Sequence, residues 1–431
     1  MRTRNGLLRL LLLMLVPATA RPQEASFEDL TVENWARQVG FSPDPWPDGI
    51  GPGQVLDASN RSLAGAMIPA GLDQWIDRLG LALNLAPYRP MHPSEGYVRA
   101  TREGASRVQV RQTGPKDYRT KAVQGYQAGL PFPAPRDGLQ VAYNAAYAWQ
   151  GDDARLWFEA LWIRARSGIW RSEEWVWEAI HRVMHRTDLP PLPDLGVLAR
   201  DDIQYASIAV ARRPEDRRQV AALLTRYERP LDQVGFAFLP SMRRDLKMLS
   251  GTPGVTWNQS DMLWEDIRGY SGHPEWYDWT LTGRATILAP MHAGVPLGPK
   301  VRQVLQGEGP GPFNPRILWE PRPVYVLEGR PKMDTALSPH PYGRVVLYVD
   351  AESFLVPLKV VWDRKGRLWK VVLHAWNDSP DPRRVPPPLS LAIALDLRRD
   401  RATVFLPRLS ESNVGLRVSD VTEARLRALS P

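Results

Sequence analysis

Through much of this chain apolar residues alternate on both registers of a two-residue period. In "ARLWFEALWIRARSG" Leu156, Phe158, Ala160 and Trp162 fall on one side, and Trp157, Leu161 and Ile163 join Arg155 and Glu159 on the other. The same holds in "GRVVLYVD", where Val345, Leu347 and Val349 oppose Arg344, Val346, Tyr348 and Asp350, and in "EWYDWTLTG", where Tyr277, Trp279 and Leu281 oppose Trp276, Asp278 and Thr280. A hairpin is expected in "PLKVVWDRKGRLWKVVLHAW", with Gly366 supplying the turn. An antiparallel strand ordinarily has one wet face. Strands apolar on both faces imply a large curved sheet with helices against one face and something apolar against the other.

Helical spacing is scarcer. Leu72, Trp75, Ile76 and Leu79 predict one helix, and Val141, Asn144, Ala145 and Ala148 another. "SFEDLTVENWARQVG" predicts a helix capped by Ser26 or Asp29 and stopped at Gly40, and "SDVTEARLRAL" one that starts at Ser419. "SEEWVWEAIHRVMHRTD" also reads as a helix, while "SRVQVRQT", "RATVFLP" and the runs from about Ile203 onward read as strands. The fold class expected is mainly antiparallel β with helices, α+β, around one large curved sheet. Forty-one prolines, 32 glycines, 17 tryptophans and 13 tyrosines favour strands and turns over long helices, so the length suits one large β unit. Residues 21–130 form a helical and irregular region expected to pack on a sheet domain spanning 131–431.

Residues 1–20 read as a secretory leader, with Arg2, Arg4 and Arg9, the apolar run "LRLLLLMLV" and "ATA" for cleavage. Without its three arginines the formal charge falls from +8 to +5, and the charges alternate in sign, which disfavours nucleic acid as a partner. The chain has no cysteine, which removes disulfides, thiolate chemistry and lipid anchoring through an N-terminal Cys. The expected location is therefore the periplasm, as a soluble protein.

Candidate chemistry is thin. His181 and His185 stand four apart on the expected helix, but Arg182 occupies the position where a zinc protease carries its Glu, so two surface histidines are the simpler reading. "GYSGH" and "QGEGPGPFNP" lack the context of a nucleophile elbow or phosphate loop and read as turns. Glu173 with Glu174, and Asp201 with Asp202, are adjacent and point apart on a strand. No catalytic residue, metal or cofactor is expected.

From about Leu130 onward the chain resembles a family of exported bacterial proteins described as outer-membrane lipoprotein-sorting-like, with a domain of unknown function related to the LolA and LolB carriers. The matching motifs are "GLPFP" (129–133), "YERP" (227–230), "FLPSMRR" (238–244), "YDWTLTGR" (277–284), "HPYGRVVLYVD" (340–350) and "DRKGRLWK" (363–370). The resemblance implies a half-barrel whose inner face makes an apolar cavity for an acyl chain or another greasy ligand. On that footing Phe236 and Phe238 would line the cavity, Arg243 and Arg244 would stand at its rim for an anionic head, and Trp157, Trp162 and Trp279 would be further candidate walls. An ordinary core strand ending in a solvated basic turn remains the plainer alternative for the first four. The function expected is a non-catalytic carrier or chaperone for a lipid, lipoprotein acyl chain or similar hydrophobe. Two alternatives are an adaptor that docks an envelope transporter or outer-membrane protein, and an envelope hydrolase.

Overall fold

A computed structural model describes residues 27–429 except 112–113, 115–116, 118, 194, 197–201, 219, 231–232, 240–243, 249–253, 308–310, 333 and 336–337. The helices are α1 (Trp35–Gln38), α2 (Leu72–Leu79), α3 (Glu95–Gly104), α4 (Gly138–Ala146) and α5 (Glu423–Ala428). Ahead of the long strands come β1 (Val55–Leu56), β2 (Leu83–Leu85), β3 (Gln109–Val110) and β4 (Val123–Gln124). A first meander holds β5 (Asp153–Arg164), β6 (Gly168–Ile180), β7 (Ile203–Arg213), β8 (Ala221–Tyr227), β9 (Gln233–Leu239) and β10 (Arg244–Met248). A second holds β11 (Tyr277–Ala289) and β12 (Leu318–Pro331), then, after the short pair β13 (Asp334–Thr335) and β14 (Ser338–Pro339), β15 (Tyr342–Asp350), β16 (Leu358–Asp363), β17 (Leu368–Trp376), β18 (Leu389–Asp396) and β19 (Arg401–Ser412).

The two meanders join through β19, which pairs antiparallel with β5 along nearly its whole length. They thereby form one curved, open sheet running β12-β15-β16-β17-β18-β19-β5-β6-β7-β8-β9-β10, with β11 on the far side of β12. This order has a topological consequence. Strands β10 and β11 follow each other in sequence but lie at opposite ends of the sheet, so residues 254–276 must return across one of its faces.

That crossing segment is the second apolar layer that the strand pattern called for. On one face Leu161, Ile163, Val360, Val371, Leu373, Ile393 and Val404 pack against Leu72, Trp75, Ile76 and Leu79 of α2. On the other, Val372, Ala392 and Ala394 meet Met262 of the crossing segment, while Ala160 and Trp162 meet Trp257. The space that the sequence left for a ligand is thus partly filled by the protein itself.

Ion pairs buried in the sheet hold the segment down. The Lys359 ammonium lies 2.5 Å from Asp266, both side chains being 0% exposed. Asp266 also accepts from the Tyr342 hydroxyl at 2.6 Å and the Leu263 N–H at 2.8 Å. Arg401 reaches Asp261 at 2.7 Å, and Lys370 donates to the Asp261 carbonyl at 2.6 Å. Glu265 accepts from Tyr277 and lies 3.2 Å from His340. Burial alone would raise the Glu265 pKa, but His340, Lys359 and the Tyr277 hydrogen bond outweigh it and hold the carboxyl at about 2. Gly269 ends the tight passage. It has φ of +87°, and a Cβ there would stand 2.4 Å from Val356 Cβ.

Three local expectations are corrected. The first helix is the single turn α1 with Asn34 at its N-cap; of the caps expected, Ser26 lies outside the described residues and Asp29 precedes the helix. The stretch around Trp175 and Trp177 is strand β6, not helix, because it pairs with β5 and β7 on both sides and its aromatic and β-branched residues suit a pleated surface. His181 and His185 therefore sit in the turn that follows. At the C-terminus Thr422, not Ser419, caps the helix by accepting from the Arg425 N–H. The leader read in residues 1–20 lies outside the described residues.

Candidate ligand chamber

Two cavities remain between the crossing segment and strands β5 to β8. The first, of about 90 Å³, is apolar: Leu156, Phe158, Ala222, Trp257, Trp264 and Phe405 are among its walls. These come from β5, β8 and β19 on the sheet side and from the crossing segment opposite. Phe158 and Phe405 pack on Trp257 with ring centres 6.0 and 5.1 Å away, so the aromatic wall is fixed by ring contacts within itself.

The second cavity, of about 110 Å³, is polar, and Arg226, Arg268, His181, His273, Tyr205 and Glu228 line it. Both cavities touch Trp177, Leu224, Trp264, Ile267 and Arg268, so an apolar space and a cationic one meet at Arg268. Arg226 extends over the Tyr205 ring at 5.2 Å, and Arg268 over the Trp177 ring at 5.5 Å. His181 stacks on the opposite part of this cluster, parallel to Tyr205 at 6.2 Å.

A match to the family model DUF1329, described as a protein of unknown function, covers residues 55–427. The chain belongs to the DUF1329 family. No curated protein matches it. Among solved structures, a DUF1329 protein from Desulfovibrio piger is similar at 17% identity and a TM-score of 0.45, over 67% of this chain and 97% of that one. A putative outer membrane lipoprotein-sorting protein domain from Vibrio parahaemolyticus is similar at 15% identity and a TM-score of 0.46, over 67% and 98%. A LolA superfamily protein from Nitrosomonas europaea is similar at 13% identity and a TM-score of 0.41, over 68% and 100%. Each is a likeness in fold alone.

Within this DUF1329 chain the residues singled out from sequence scatter. Phe236 and Phe238 point away from both cavities, into a cluster with Ile208, Leu223 and Leu426. The cause is α5, which docks Leu426 on that face of β8 and β9. Arg243 lies outside the described residues, and Arg244 opens β10 opposite Leu239 instead of standing in the turn. Trp157 is 41% exposed on the outer face of β5. Trp162 is buried behind the apolar cavity, stacked on Trp257 and covered by Arg171 at 4.1 Å. Trp279 packs on Tyr277 and donates to the Pro274 carbonyl at 2.7 Å. None of Phe236, Phe238, Trp157, Trp162 and Trp279 lines either cavity.

Of the residues that line the polar cavity, the sequence marks His181 and His185 as a pair but does not single out Arg226 or Arg268. A signal existed on β8, where Ala222, Leu224, Arg226 and Glu228 follow one another at spacing two, so charge continues an apolar stripe on one face. Arg268 carries no such mark, since it lies on an irregular segment. Of the histidine pair, His185 faces Glu228 at 3.3 Å and His181 faces Arg268 at 3.3 Å. Among the described residues no cluster of three or more His, Cys, Asp or Glu is placed to hold a metal.

Buried histidines give the site a pH dependence. His374 is fully buried and its Nε2 accepts from the Gly269 N–H at 3.2 Å. Burial, reinforced by Lys359 and Arg268, pushes its pKa down to about 3. An unfolded chain protonates this group near pH 6.5, so the folded state holds fewer protons between about 6.5 and 3. Its contribution is complete above pH 6.5 and is lost as pH falls through that window, at roughly 1.4 kcal/mol per pH unit. His181 and His273 shift in the same direction, again from burial. Thermal midpoints measured from pH 7 to pH 4 are expected to fall, and His374→Phe to fall less steeply.

Proposed function

We propose that this protein is a non-catalytic carrier of the bacterial periplasm that shelters a small hydrophobic ligand beneath the crossing segment. The observation that carries the reading is the apolar cavity, walled by Phe158, Trp257, Trp264 and Phe405 and roofed by a segment that buried ion pairs anchor. Apolar cavities stay dry, and one of about 150 Å³ accepts a benzene-sized guest. At about 90 Å³ the apolar cavity is smaller than that, so it takes the end of one slim chain, and a longer chain or a lipoprotein with several acyl chains requires the roof to lift. The reading accords with the leader expected in residues 1–20, and among the described residues no helix is long and apolar enough to cross a membrane.

The test is a titration of delipidated protein with neutral alcohols from hexanol to dodecanol. Each buried methylene contributes about 0.8 kcal/mol, so affinity is expected to rise about fourfold per carbon and then level off where the tail reaches the end of the cavity. Flat affinity along the series, or no binding by any member, would count against a carrier.

A further inference from the structure

Among the described residues, two guanidinium groups inside the polar cavity, Arg226 and Arg268, form no ion pair with a carboxylate. Arg268 donates to Gln150 at 2.5 Å and lies against His181 and Trp177; Arg226 donates to the Ser271 carbonyl, and its Nε finds no partner. The three nearby carboxylates are engaged elsewhere. Glu275 accepts from Tyr143 and the Ala122 N–H, and Glu265 takes Tyr277 and His340; Glu228 holds Lys121 through one oxygen, while its Oε1 faces His185 at 3.3 Å without a hydrogen bond. His273, 4% exposed, leaves Nε2 without a partner in the same cavity, and His181 Nε2 is likewise unpaired. Both arginines are part-buried, and charges drawn out of water are ordinarily paired. Burial accordingly lowers the pKa of Arg268 to about 10. Its backbone is strained as well, with φ of +57°, a conformation that non-glycine residues adopt at a cost and that gathers at functional sites.

From this cluster, and resting on the carrier reading above, we propose that the ligand is a single-tailed amphiphile with an anionic head. Its carboxylate or phosphate lies between Arg226 and Arg268 and its tail in the apolar cavity. Arg268 stands where the two cavities meet, so an anion held there directs its chain along Trp264 and Trp177 toward Trp257 and Phe405. The head supplies the acceptors that Arg226 Nε, His181 and His273 lack, and guanidinium groups bind such oxygens through paired, charge-assisted hydrogen bonds. Ligand and protein then complete each other: the tail fills apolar space and the head neutralises charge that the fold leaves open.

The test compares decanoate, decyl phosphate and decanol on the full protein by calorimetric titration. One or both anions are expected to bind at least about tenfold more tightly than decanol, and whichever leads identifies the head as carboxylate or phosphate. In Arg268→Met and Arg226→Met that preference is expected to disappear while decanol binding persists. The thermal midpoint of the unliganded variants should stay level or rise, because an unpaired, part-buried charge has been removed. Equal binding of all three probes by the wild type, a preference unchanged in both variants, or a collapse of the fold on either substitution would overturn the assignment. Equal binding leaves the carrier reading standing; no binding of any probe overturns both.

Discussion

Lys359→Ala is expected to destabilise the protein by about 3–5 kcal/mol, the cost typical of removing one partner from a buried ion pair. The substitution removes the cation in contact with the Asp266 carboxylate, in an interior where neither side chain sees solvent, and leaves Lys370 to act on it from farther off. It also weakens the anchor of the crossing segment, because Asp266 positions Leu263 and Tyr342 through the same carboxylate. Chemical denaturation would measure it, with the midpoint moving to lower denaturant. Asp266→Leu alone should be comparably harmful. Combined with Lys359→Met it should cost less than the two single changes added together, since the double variant buries no unpaired charge; the Tyr342 hydroxyl and Leu263 N–H still lose their acceptor, so recovery is partial. Strict additivity would mean that the pair does not hold the segment.

Arg322→Ala is expected to be of similar size, about 3–5 kcal/mol. The Arg322 side chain is completely buried, with Asp350 at 2.8 Å, Glu352 at 2.7 Å and Glu320 at 3.4 Å. It also donates to the Arg89 carbonyl at 2.5 Å, and so ties the N-terminal region to β12 and to the turn after β15. Without it three carboxylates crowd one interior site. Burial already raises the Glu352 pKa despite Arg322, so the variant should take up protons on folding and recover part of its stability at lower pH. Denaturant midpoints at pH 7 and pH 5 would show this as a smaller deficit at the lower pH. An unchanged deficit would locate the loss in packing.

The strands were legible because their chemistry is local. The β16–β17 hairpin, with Gly366 at φ +75°, follows from alternation and a glycine turn, and apolar residues on both faces announced a sheet covered twice. What covered the second face was not legible. Residues 254–276 have no periodicity, and their place is set by the closure of β19 on β5, a contact between residues some 250 positions apart in sequence. Hairpin pairing with β5 and β7 on both sides turned the expected helix around Trp175 into β6. The direction of Phe236 and Phe238 depended on where α5 docks, which alternation alone leaves open, since it separates two faces without saying which is inner. The cationic cavity was half legible: Arg226 and Glu228 extend an apolar stripe on β8, whereas Arg268 enters only through the crossing segment.

The central claim, that the space under the crossing segment is kept for a guest, is tested most directly by comparing decanol uptake by wild-type protein and by Ala222→Trp. Ala222 is a small wall residue of the apolar cavity on β8, and an indole there occupies the guest's volume with little else to displace. Saturable binding of one decanol per chain by the wild type and none by a folded Ala222→Trp is the predicted result; equal uptake by both, or none by either, would contradict it.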